Sequence, residues 1–251
     1  MKSFFKWLGI GLGALLLIGL ITGLIVHKPR PEGTTGPEAD ALARKMMAAV
    51  DQAAWDSTRY IGWTFTGVHD YLWDREDELV DVRWSNHRVL LHTPTQKGIA
   101  WTEGEPVPEP EKLIDKAWFY FTNDSFWLQA FNKVFDPGTE RAVVAQSDGS
   151  DALLVTYNSG GVTPGDSYLW IVDEAGRPQA WRMWVKILPV GGLKFTWENW
   201  QELSTGALVA LDHKNALTNV ALTDVRGGDT LEDLAVPENP FAEAKKIGMS
   251  N

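Results

Sequence analysis

Between His69 and Asp77 the chain carries five side chains able to ligate a metal or move a proton: His69, Asp70, Asp74, Glu76 and Asp77. Their spacing matches neither a zinc site nor a calcium loop, and a solvated, charged turn accounts for them better. His213 stands at the end of an apparent strand, Leu211-Asp212-His213-Lys214, with no partner identifiable from sequence, and His87 and His92 are equally ordinary. There is no GxSxG elbow, no phosphate-cradling GxxxxGK[ST] and no HExxH, so hydrolase, nucleotide-binding and zinc-protease chemistry lack their local supports. A carboxylate pair that meets only in space would leave no such trace, which keeps an enzyme as the third of three functional readings. No catalytic residue, metal ligand or cofactor is expected.

Two further segments combine residues with special backbone or hydrogen-bonding roles. Gly160-Gly161-Val162-Thr163-Pro164-Gly165-Asp166 should follow a fixed path, because proline locks φ, glycine can turn with positive φ and aspartate accepts from nearby amides. Structural need explains this loop without a function. Asn123-Asp124-Ser125 offers helix-capping groups ahead of Phe126 and Trp127. The chain has no cysteine, which removes disulfides, thiolate metal sites, cysteine nucleophiles and a lipidated cysteine together.

The elements that would position these groups begin with an apolar run. Trp7 to Val26 contains no charge, and as a helix it would cross a hydrocarbon core about 30 Å thick. The run is longer than the apolar part of a signal peptide and has no small-x-small cleavage site, so it is expected to remain as an anchor. Lys2 and Lys6 favour a cytoplasmic N-terminus, and a large following domain favours export. The expected location is the bacterial inner membrane, single-pass, with a periplasmic C-terminal domain. Gly9, Gly13, Gly19 and Gly23 would suit a weak dimer through that helix, although glycine is common in membrane helices in any case.

Setting aside Lys2, Lys6, Lys28 and Arg30, which flank the apolar run, 19 basic side chains face 33 acidic ones. A surface that acidic repels phosphate backbones, so nucleic acid is not an expected partner. Pro29, Pro31, Pro37, Gly33 and Gly36 mark a short tether. Leu42, Met46, Ala49, Val50 and Ala53 then recur at helical spacing, predicting a helix from about Glu38 to Ala54.

Beyond Thr58 the period becomes two, and about ten antiparallel strands follow up to Val225, several joined by tight turns. Pro110 to Phe135 is predicted as one or two short helices across the sheet. The fold class is α+β: an N-terminal transmembrane helix, then a large curved antiparallel sheet (an incomplete β-barrel) covered by short helices. The expected divisions are 1–30 (stub and anchor), 31–37 (linker), 38–236 (half-barrel) and 237–251 (C-terminal tail).

Thirteen tryptophans make ring direction important. Strand alternation turns Trp181, Met183, Val185 and Ile187 to one face, with Tyr168, Trp170, Val172, Leu193, Phe195 and Trp197 on the same side. These rings either fill the core of a broad sheet or line an apolar cavity on its concave face, and the sequence leaves both open. The candidate ligand-binding residues are Trp63, Phe65, Trp84, Trp118, Trp127, Trp170, Trp181 and Trp197.

Asn123 to Leu128, Phe135-Asp136-Pro137-Gly138, Gly160 to Asp173 and Trp197-Glu198-Asn199-Trp200 together resemble uncharacterised bacterial envelope proteins that look like relatives of the LolA and LolB lipoprotein carriers. The resemblance covers roughly Glu38 to Arg226. It implies a half-barrel whose cavity takes acyl chains, binding a lipid or an acylated lipoprotein without catalysis. The absence of both a cleavage site and a lipidated cysteine departs from those carriers and argues against a diffusing shuttle. The alternative is a protein–protein interaction or scaffolding module with a self-filled core.

Overall fold

A computed structural model describes residues 27–246. The first described residues, from His27, lie against the segment from Trp184 to Gly191: the Lys28 amide donates to Gly191 O, and the Trp184 indole donates to Lys28 O at 2.7 Å. Strand β1 (Thr34–Thr35) follows and pairs with Ala142 and Val143. Helix α1 (Pro37–Ala48) starts after Gly36, whose φ of 132° suits glycine, with Pro37 inside the first turn and Glu38 and Asp40 facing the positive end of the helix dipole. It stops short of the predicted Ala54 because Asp51 adopts the left-handed conformation and caps a new helix, α2 (Gln52–Ser57), accepting from the Ala54 amide.

A meander follows: β2 (Tyr60–Phe65), β3 (His69–Asp74), β4 (Leu79–Trp84), β5 (His87–His92), β6 (Lys97–Thr102) and β7 (Glu105–Pro106). Helix α3 (Glu111–Gln129) then crosses the molecule and ends in a 3-10 turn, Ala130–Asn132. A second meander is formed by β8 (Thr139–Ala145), β9 (Asp151–Tyr157), β10 (Asp166–Val172), β11 (Pro178–Trp184) and β12 (Leu193–Thr196). Three more strands, β13 (Glu198–Glu202), β14 (Leu208–Lys214) and β15 (Asn219–Gly228), return to the first meander, and α4 (Ala242–Lys246) ends the described chain.

All strand pairs are antiparallel, and they form two sheets: β1-β8-β9-β10-β11-β12, and β13-β14-β15-β2-β3-β4-β5-β6-β7. The sheets meet at Trp197. Its amide donates to Gln179 O in the first sheet, while Glu198 onward pairs with β14 in the second. Two apolar cores result. Ile114, Ala117, Phe121 and Leu128 of α3 pack with Ile61, Trp63, Val82 and Trp84 under the nine-stranded sheet. Met46 of α1 packs with Phe131, Trp170, Trp181 and Trp197 under the six-stranded one. On the outer face, Leu234, Phe241 and Ala244 cover Tyr60, Leu79 and Leu90, so part of the segment set apart as a tail packs onto the sheet.

This corrects the expected fold. In place of one incomplete barrel, the described residues form two large sheets and no closed barrel. Among the described residues no helix is long and apolar enough to cross a membrane. Trp7 to Val26, on which the transmembrane, signal-anchor and single-pass inner-membrane expectations rested, lies outside the described residues, as do its glycine pairs. The covering helix is also one 19-residue element rather than short pieces, because its apolar residues keep one register from Ile114 to Leu128.

Candidate functional site

Helix α3 has rings on more than one face, and only one face is spent on the nine-stranded sheet. Trp118, Phe119, Thr122 and Phe126, at helical spacing, form part of the floor of a groove of about 860 Å³. One bank comes from the nine-stranded sheet through Trp73, Glu78, Thr93 and Pro94. The other comes from the six-stranded sheet and its loops, through Tyr157, Tyr168, Trp181, Met183 and the segments Ser159–Thr163 and Val185–Leu188. Nine of the lining side chains are aromatic. Phe119, Ile187 and Leu188 are exposed large apolar residues at its edge.

Burial holds the Tyr157 and Tyr168 hydroxyls above the usual phenol range, so both remain protonated donors at neutral pH. The indole N–H groups of Trp73 and Trp181 are buried without an acceptor among the described residues. Trp127, Trp170 and Trp197 surround Trp181 edge-to-face with centroids 4.9, 5.0 and 5.1 Å away. The loop Gly160–Asp166 does follow a constrained path, with positive φ at Gly160, Gly161 and Gly165. It forms a rim of the groove, a position its composition did not reveal.

Of the eight candidate residues, the groove brings together Trp118, Trp127 and Trp181. Trp63 and Trp84 are buried in the core under the nine-stranded sheet, with Phe65 packed against it. Trp170 and Trp197 are buried in the other core, 0% and 1% exposed. Sequence reasoning missed Trp73, Phe126, Tyr157 and Met183. Met183 shares a face with Trp181, the one signal that pointed to it.

The acidic turn is dispersed by the fold. Asp74, Glu76 and Asp77 all pair with Arg59, and Asp70 accepts from the Thr64 hydroxyl. His69 lies 2.7 Å from Asp124, which also accepts the Tyr71 hydroxyl at 2.6 Å. Asp124 and Ser125 sit inside α3 rather than at its cap. This imidazole, carboxylate and phenol join α3 to β3 on the side facing the nine-stranded sheet, and none of the three lines the groove. Burial, with the Asp124 carboxylate beside it, raises the Tyr71 phenol and keeps it a donor to that carboxylate. Among the described residues no group of three or more His, Asp or Glu could hold a metal ion.

No protein-family model matches the chain, and no curated protein matches it either. The groove's geometry therefore carries the functional argument.

Proposed function

We propose that this chain binds an apolar ligand, such as the acyl chain of a lipid or a lipoprotein, in the groove beside α3, without chemical change to it. The observation that carries this is the aromatic-lined groove of about 860 Å³, inside the range of about 300–1,000 Å³ usual for small-molecule sites. Burying about 400 Å² of ligand apolar surface is worth about 10 kcal/mol. With an association cost of about 4 kcal/mol, the low end of the usual range, the dissociation constant is on the order of 40 µM. The resemblance to lipoprotein carriers agrees with such a ligand.

The test is a titration of the full chain with the neutral fluorophore N-phenyl-1-naphthylamine, together with organic extraction of the purified protein. Saturable uptake is expected. Val185→Trp, at a half-buried lining position, should weaken it about tenfold, or about 1.4 kcal/mol, with the circular dichroism spectrum unchanged. No uptake and no co-purifying lipid would refute the proposal. That result would favour a scaffolding module, a reading supported by Trp170 and Trp197, which fill the inner part of their core themselves.

A further inference from the structure

One wall of the groove carries a buried carboxylate without a counter-ion. Asp166, at the start of β10, is 4% exposed and lines the groove. It accepts the Thr163 hydroxyl at 2.5 Å and the Lys186 backbone amide at 3.0 Å. Among the described residues it forms no ion pair. The Lys186 ammonium lies over Gly165, where a Cβ would meet it at 2.9 Å, but does not pair with Asp166. Buried charges are ordinarily paired, because an isolated carboxylate away from water is costly.

The surrounding groove has the complementary features of a cation site. Glu78 stands on the opposite bank and Asp136 on the same one, and the lining cation Lys133 is held by Asp136 at 2.8 Å. The protein's own cations cover rings such as Phe135, Trp84 and Trp101 elsewhere, whereas of the nine groove rings only Trp73 has one among the described residues, Arg75. Aromatic faces combined with a carboxylate are the chemistry that holds ammonium groups. The chain's net charge of −10 also favours a cation over an anion during approach.

Resting on the groove as a binding site, we propose that it selects apolar ligands bearing a positive charge, alkyl or aryl ammonium compounds, with Asp166 as the counter-ion. The competing account is that Asp166 only brackets the loop ahead of β10. Asp166→Asn separates the two, since its amide oxygen still accepts from the Lys186 amide and its NH2 group can donate to the Thr163 hydroxyl, while the charge is removed.

The experiment displaces N-phenyl-1-naphthylamine from the full chain at low salt and about pH 8 with three twelve-carbon amphiphiles: dodecyltrimethylammonium, 1-monododecanoylglycerol and dodecanoate. The ammonium compound should bind about tenfold more tightly than the glycerol ester and about a hundredfold more tightly than dodecanoate, differences the ionic attraction can supply in a partly buried site. D166N should bring the ammonium compound to within about twofold of the ester and leave the ester's affinity unchanged. Should D166N fail to fold, Asp136→Asn must still narrow the preference, as must raising the salt to about 1 M, where charges are screened beyond about 3 Å. If the ester binds and the ammonium compound gains nothing, or if its advantage survives D166N, charge selection is overturned and the groove reading stands. If the fluorophore and all three amphiphiles fail to bind, both are overturned.

Discussion

His213 sits on β14 with no exposed surface, and neither ring nitrogen has a hydrogen-bond partner among the described residues. Trp197 and Trp127 pack on it with centroids 4.3 and 5.3 Å away. Burial lowers its pKa to about 4, and the nearby Thr196 backbone, the Asp212 carboxylate and the Trp127 backbone only partly oppose that shift. The unfolded chain therefore takes up this proton below about pH 6.5, and the folded chain only near about pH 4. Stability is intact above that window and should fall as pH drops through it, by about 3 kcal/mol for this one group. Carboxylates also titrate there, so the measurement is the difference in urea-unfolding stability between wild type and His213→Leu from about pH 7 to pH 4. The variant should lose less on acidification, and parallel curves would refute the assignment. From sequence His213 was a strand-end residue without a partner. Its burial was not legible, because that depends on Trp127 arriving from α3.

At the scale of elements, the junction of the sheets depends on one backbone conformation. Trp197 and Trp200 both pack toward the core under the six-stranded sheet, although they lie three positions apart and strand alternation would place them on opposite faces. Asn199, at φ 55°, supplies the phase change. Asn tolerates this region better than most residues, and its side chain donates to Asp212 at 3.3 Å. Asn199→Gly is expected to stay within about 0.5 kcal/mol of wild type, while Asn199→Val should cost about 1–2 kcal/mol in denaturant unfolding. Equal costs for the two would argue against a conformational role. This local break explains why alternation predicted β10 to β12 well and yet joined β12 and β13 into one strand. Period-two counting also passed over β3, because His69, Asp70 and Asp74 read as a charged turn around Tyr71 and Trp73. It missed β6 as well, where Gly98 interrupts the pattern because a Cβ there would lie 2.5 Å from Leu90 O. The long helix was half-legible. Its aromatics were seen, but Asp124 looked like a cap because its partners, His69 and Tyr71, lie more than fifty residues away in sequence.

At the scale of the whole molecule, the groove is bounded by both sheets and floored by the helix packed between them, so no single element forms it. An occupant would therefore touch the nine-stranded sheet at Trp73, α3 at Phe126 and the six-stranded sheet at Trp181. Unfolding would disperse all three walls, and a ligand that binds only the folded chain must stabilise it by mass action. At about one hundred times the dissociation constant the gain is about 2.7 kcal/mol. For a chain of this size that corresponds to a rise in melting temperature of about 5–10 °C. Differential scanning fluorimetry with the tightest-binding amphiphile should show this rise, saturating at the concentration found by displacement. Val185→Trp, which fills the groove from one bank, should lose most of the shift while keeping its own unliganded melting temperature within a few degrees, about what a 1 kcal/mol change would cause. A rise of equal size in Val185→Trp would mean that the amphiphile stabilises the chain from another surface, and the groove would no longer explain its binding.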